Sequence, residues 1–220
     1  VPSSFVLLAA PALACVTLAL LLWRGEWRRS TRDRWLYKPA TSTLFLVAAL
    51  AAGPDDRYDW LVLTALVLGA AGDVCLIPPG RAWFLAGLSA FLASHLAYLA
   101  AFATRADPLA ADPAATLAIL AMGSALVWYL WPHLGALRVP VLAYALAITA
   151  MLVAATAVFE ASGLDTAFRW CVLGGATLFY LSDVSVARDR FVPRTGFANR
   201  AVGLPLYYAA QFLLAGSIAL

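Results

Sequence analysis

Eight apolar runs follow one another along this chain, most of them as long as a bilayer is thick. At ~1.5 Å per residue, about 20 apolar residues cross a hydrocarbon core of ~30 Å. The runs fall at 4–23, 39–53, 59–77, 83–104, 113–131, 138–159, 167–187 and 200–219. The second is short for a span and is expected to tilt or stop part-way. Between the runs stand short breaks such as "GPDDRYD", "PPGRA", "TRADPLAADP" and "EASGLDT", rich in Gly, Pro and charge. Only 12% of the 220 residues are charged and 64% are hydrophobic, so a water-facing surface could not be covered. The expected fold is all-α: a polytopic membrane protein of eight transmembrane helices, forming a single domain over 1–220. The first run has no basic segment before it and arginines after it, which suits a spanning helix better than a cleaved leader.

Charge sets the orientation. The breaks after the first, third, fifth and seventh runs hold twelve of the fifteen Lys and Arg residues, and the other breaks hold Arg57, Arg105 and Arg169. The positive-inside bias then puts the first set in the cytoplasm and both termini outside. Seven of the eight tryptophans lie near run ends, as an interfacial belt requires; Trp128 is deeper. The arginines at 24–34 serve topology and anionic headgroups, and no nucleic-acid partner is expected. The Ala- and Arg-rich composition suggests a GC-rich bacterial genome and hence an inner (plasma) membrane protein. The cysteines Cys15, Cys75 and Cys171 are odd in number and lie in apolar runs, so no disulfide framework follows.

An internal repeat is also suggested. Asp73 and Asp183 sit four runs apart. "GLSAFLASHLAYL" and "GLPLYYAAQFLLA" share Gly-Leu followed, eight residues after the Gly, by a polar side chain: His95 and Gln211. Four helices preserve orientation, so the two halves would form a parallel 4+4 repeat.

Ionisable groups inside spans are costly and point to function. Here they are Asp73, Asp183, His95 and, at an edge, Lys38. Asp73 and Asp183 occupy matching places near the inward ends of their runs, and Lys38 opens the second run at the same level. Two carboxylates at one level suit acid–base chemistry, one as proton donor and one as base. A carboxylate could equally tie helices together or pair with Lys38. Tyr98, Tyr144, Tyr180, Tyr207, Tyr208 and Gln211 are candidate pocket residues. Gly69, Gly72, Gly174, Gly175 and Ser182 would let neighbouring helices come close. Two histidines cannot supply a three-histidine zinc site. No metal or other cofactor is expected. No G-x-S-x-G, P-loop or dinucleotide fingerprint occurs.

"KPATS", the "GD" at 72–73, "GLSAFLASHLAY", "VPVLAYALAITAM" and "GATLFYLSDVSVARDRF" resemble, in order and spacing, the YhhN / TMEM86 family. "GDVCLIPPG" lacks the longer polar stretch of many members. The resemblance implies an integral-membrane lysoplasmalogenase. Such an enzyme cleaves the vinyl ether of a lysophospholipid to a fatty aldehyde and glycerophospho-ethanolamine or -choline. It implies Asp73 and Asp183 as catalytic residues. Lys38, His95, Ser182 and Arg190 would join the tyrosines and Gln211 around the substrate, near the cytoplasmic leaflet. A proton-coupled transporter of small lipids or solutes is the alternative, and a non-catalytic scaffold is a third reading.

Overall fold

The computed structural model describes residues 20–28, 30–193 and 198–220. Among them the regular structure is helical throughout: α1 (Thr31–Ala51), α2 (Arg57–Cys75), α3 (Arg81–Ala103), α4 (Pro113–Leu134), α5 (Arg138–Glu160), α6 (Thr166–Phe191) and α7 (Ala198–Gly216). Residues 20–27 are helical too; the rest of the run expected at 4–23 lies outside the described residues. Five stretches are long and apolar enough to cross a membrane: Arg57–Cys75, Arg81–Ala103, Pro113–Glu160, Thr166–Phe191 and Ala198–Ala219. The third holds two helices. They part at Gly135, whose φ of 50° a side chain would resist. They then fold back: the Asp112 N–H, just before α4, donates to Glu160 at the end of α5 (2.8 Å).

Six helices close a ring in which each packs on the next, in the order α1, α2, α3, α5, α6, α7 and back to α1. α4 stands outside it, against α5 and α6. The tightest neighbours are the pairs α2/α3 and α6/α7. Glycine makes both close approaches. A Cβ on Gly72 would lie 2.7 Å from the Phe91 ring, and one on Gly175 would lie 2.6 Å from Leu214 Cγ. The ring interior is filled by Phe45, Tyr98, Phe102, Met151, Phe179 and Leu214. All eight tryptophans are described and exposed, Trp128 most of all at 79%.

Helix ends follow their caps. Asp56 and Asp59 form a capping box at the start of α2, and Asp112 and Asp165 cap α4 and α6. The largest departure from the sequence reading is the second run. Its helix begins eight residues before the expected residue 39, because Ser30 caps it by accepting the Asp33 N–H (3.2 Å). "TRDRWLYK" is therefore helix rather than loop, and Pro39 lies inside α1. Next to the proline, Thr41 and Thr43 donate to the Tyr37 and Pro39 carbonyls (2.7 and 2.9 Å), giving these backbone groups side-chain partners.

Candidate active site

The two aspartates expected at matched positions each gather a separate set of partners. Asp73 is the third residue from the end of α2 and its side chain is 3% exposed. Its Oδ2 accepts from the Ser42 hydroxyl (2.6 Å) and the Tyr207 hydroxyl (2.8 Å). Its Oδ1 is 3.2 Å from Lys38 Nζ. Lys38 and Ser42 are one turn apart on α1, so one helix face supplies both. Tyr207 comes from α7. The site needs close backbones, and Gly69, one turn before Asp73, supplies room. A Cβ there would be 3.0 Å from Gln211 Nε2 and 3.3 Å from the Tyr207 hydroxyl.

Asp183 lies on α6 with its side chain 16% exposed. Its Oδ2 accepts from the Tyr144 hydroxyl on α5 (2.6 Å) and is 3.5 Å from His95 Nε2 on α3. His95 is fully buried, and neither ring nitrogen has a hydrogen-bond partner within 3.5 Å at good geometry. Its ring lies between Tyr144 and Phe179, with centroids at 5.0 and 4.7 Å. A cleft of about 50 Å³ opens beside Asp183, between α4, α5 and α6. Tyr144 and Tyr180 line it with Asp183; its other walls are aliphatic, among them Leu126, Leu130, Val141 and Ile148.

Among the described residues, no hydrogen bond or ion pair joins the two carboxylates. Phe179 stands between the two groups, its ring 4.7 Å from His95 and 5.4 Å from Tyr207. The remaining expected site residues divide. Tyr98 donates to Gln211 Oε1 (2.7 Å) in a buried pair whose amide lies beside Tyr207 at Gly69. Tyr208 packs on Tyr207, with ring centroids 5.0 Å apart. Ser182 donates to the Gly203 carbonyl (3.0 Å) and so helps hold α7 against α6. Arg190 is exposed, with its guanidinium 4.3 Å over the Phe84 ring. Ser42, Gly123 and Thr149 are near the two groups and were not singled out from sequence. Ser42 had a legible signal, since it falls one turn after Lys38; Gly123 and Thr149 had none.

The start of α2 carries a third acidic group. Asp55, Asp56 and Asp59 bring carboxylate oxygens within 4.8 Å of one another. Their hydrogen bonds are those of a helix cap: Asp59 accepts from the Asp55 and Asp56 N–H groups and donates its own N–H to Asp56. Asp56 also meets Arg105 (2.6 Å).

A closed ring of apolar helices with buried carboxylates, most of them long enough to span, defines a polytopic helical membrane protein. The chain belongs to the YhhN family, whose model matches residues 33–218. The lysoplasmalogenase TMEM86B of Rattus norvegicus is 35% identical over 210 residues, covering 93% of this chain and 81% of that protein. A protein of Mycobacterium tuberculosis named lysoplasmalogenase is 34% identical over 184 residues, covering 80% of this chain and 66% of that protein. The uncharacterized membrane protein YhhN of Escherichia coli O157:H7 is 28% identical over 210 residues, covering 92% and 97%. No solved structure matches the chain.

Proposed function

We propose that this chain is a lysoplasmalogenase-like membrane hydrolase that acts on the vinyl ether of a lysophospholipid, with Asp183 and Asp73 as its acid–base residues. The observation that carries it is the Asp183 carboxylate, held by Tyr144 and opening onto an aliphatic cleft. The names of the relatives supply the reaction class.

A vinyl ether is hydrolysed by protonation at the alkene carbon remote from oxygen. The C=C pair takes the proton, and an oxocarbenium ion forms at the carbon bearing oxygen. Water adds there and gives up a proton. The hemiacetal then breaks its bond to the glycerol oxygen, releasing aldehyde and alcohol. In this reading the carboxyl of Asp183 gives the first proton. As a carboxylate it then faces the cation and stabilises it. Tyr144 fixes that carboxyl, and His95 backs it. Asp73, with Lys38 beside it, is the second charged pair and acts as the base-side partner. No metal or organic cofactor is invoked.

The protein is further proposed as one eight-helix membrane domain with its arginine-rich end in the cytoplasm, both termini outside and the site toward the inner leaflet. The proposed 4+4 repeat has support in the contacts. Asp73 on α2 draws partners from α1 and α7. Asp183 on α6 draws them from α5 and α3, which are the helices four places on in a cyclic order of eight that counts the run at 4–23 as one member.

The test uses purified full-length protein, a lysoplasmalogen and heavy water. Expected is release of fatty aldehyde carrying one deuterium on the carbon next to the carbonyl. Equal turnover by Asp183→Asn, or no aldehyde at all, ends the reading. Uptake driven by a pH gradient in liposomes without aldehyde release would select the transporter instead.

A further inference from the structure

The cleft at Asp183 has two unlike ends. One end is closed. Gly123 of α4 faces Thr149 of α5 and Tyr180 of α6 there, so closely that a Cβ on Gly123 would lie 2.9 Å from Thr149 Oγ1 and 3.3 Å from the Tyr180 hydroxyl. Thr149 follows Tyr144 by five residues, so this floor is about 7.5 Å along α5 from the group that holds Asp183. Beyond the other end the helices carry arginines, although none lines the cleft itself. Val141 and Ala187 line the cleft there, and the same turns carry Arg138 and Arg188.

The space between is small. About 50 Å³ is room on the order of four water molecules. It admits a few carbons, not a whole lipid tail. Its outer wall is α4, the helix outside the ring, of whose 22 residues only Gly123, Leu130 and Leu134 are buried. The outward side of α4 presents Leu117, Leu120 and Trp128, as a lipid-facing surface does.

We infer that this cleft seats the first carbons of the substrate's hydrocarbon tail next to the reacting bond, and that the rest of the tail leaves sideways past α4 into the bilayer. The inference rests on the hydrolase reading and deepens it. The phosphate lies toward Arg138 and Arg188, where the single negative charge of a zwitterionic headgroup's phosphodiester meets guanidinium. The vinyl ether lies against Asp183. The floor at Gly123, Thr149 and Tyr180 turns the chain outward, because burying methylenes against two hydroxyls gains less than leaving them in lipid. Tail length beyond the first few carbons then contributes through the membrane and not through the protein.

Two non-hydrolysable alkyl-ether lysophospholipids test this on the full chain in lipid nanodiscs. One carries a photoreactive diazirine a few carbons from the ether, the other at the far end of the tail. The near probe is expected to label Leu126, Val127 or Ile148, and excess unlabelled lysolipid is expected to suppress it. The far probe is expected to label bilayer lipid and the outward side of α4. Ala145→Phe fills the cleft and should cut near-probe labelling by about ten-fold, equal to ~1.4 kcal/mol, with the melting temperature retained. Leu126→Trp gives a second plug from the opposite wall. Near-probe labelling on α1 or α2, labelling of the cleft that lysolipid does not displace, or full labelling in a folded Ala145→Phe protein overturns the inference. A wild type that releases aldehyde but labels elsewhere loses only the tail seat. A wild type that labels as expected but releases no aldehyde loses only the hydrolase reading.

Discussion

Asp73 and Asp183 lie at similar distances from the starts of their helices, although α6 runs on past Asp183 and α2 stops soon after Asp73, and their surroundings are opposite. Asp73 is met by an ammonium and two hydroxyl donors and is sealed from outside. Asp183 has one hydroxyl donor and an imidazole, and it borders the cleft. The residues before them differ in the same sense. Gly72 removes a side chain so that Phe91 can close over the first site, whereas Ser182 reaches across to the Gly203 carbonyl at the second. A carboxylate with a cation and two hydroxyls at its oxygens is held in one geometry, as the proposed base is. In the proposed reaction, the one with fewer partners and an open side is the proton donor.

The strongest test of that contrast is a pair of isosteric changes. Asp183→Asn is expected to lower aldehyde release by about a hundred- to ten-thousand-fold while leaving thermal unfolding nearly unchanged. Asp73→Asn leaves Lys38 without its carboxylate, and should cost about 3–5 kcal/mol in denaturant or thermal unfolding. Adding Lys38→Met to Asp73→Asn should restore most of that stability without restoring turnover. Recovery of turnover in the double variant would reduce Asp73 to a structural tie.

Exchanging the preceding residues comes next in size. Gly72→Ser would set a Cβ 2.7 Å from the Phe91 ring and is expected to destabilise by about 1–3 kcal/mol. Ser182→Gly removes one hydrogen bond and should cost about 1 kcal/mol. Equal effects from the two would mean that the helices pack alike at both sites.

The smallest effect belongs to a carboxylate at the chain's wet end. Burial pushes Asp56 up, but the Asp59 N–H and the Arg105 guanidinium outweigh it and hold the carboxyl below its ordinary value of 3.8. Its contribution to stability is then present above that value and fades as pH falls through and below it. The side chain is 41% exposed, so the pair is screened and the change is slight. Acid titration of thermal unfolding, compared with Asp56→Asn, would show whether even this much is measurable.

Much of the helical order could be read from sequence, because apolar length and polar breaks are local signals. The expected runs at 59–77, 83–104 and 138–159 differ from α2, α3 and α5 by two residues or fewer at each end. The start of α1 was not legible, since a charged stretch looks like loop until Ser30 is known to cap it. The identity of the buried ionisable groups was legible for the same reason that they are costly. Their partnering was not. Depth along a helix places Asp73 and Asp183 at one level, but rotation about the helix decides which neighbour each one meets. That rotation depends on contacts such as Gly72 with Phe91 and Gly123 with Thr149. The cleft itself comes from α4 lying outside the ring, a matter of which helices pair and not of any single residue.

Three buried polar groups in the first half of the chain find partners in one short stretch of the last helix and the turn after it. Asp73 meets Tyr207, Tyr98 meets Gln211 and Tyr58 meets Ser217 (2.8, 2.7 and 2.7 Å). During synthesis each of them must wait for residues made more than a hundred positions later. The order of birth therefore runs against the order of assembly: Tyr58 and Tyr98 lack these partners and Asp73 has only those of α1 until the arrival of α7 and the turn after it completes them.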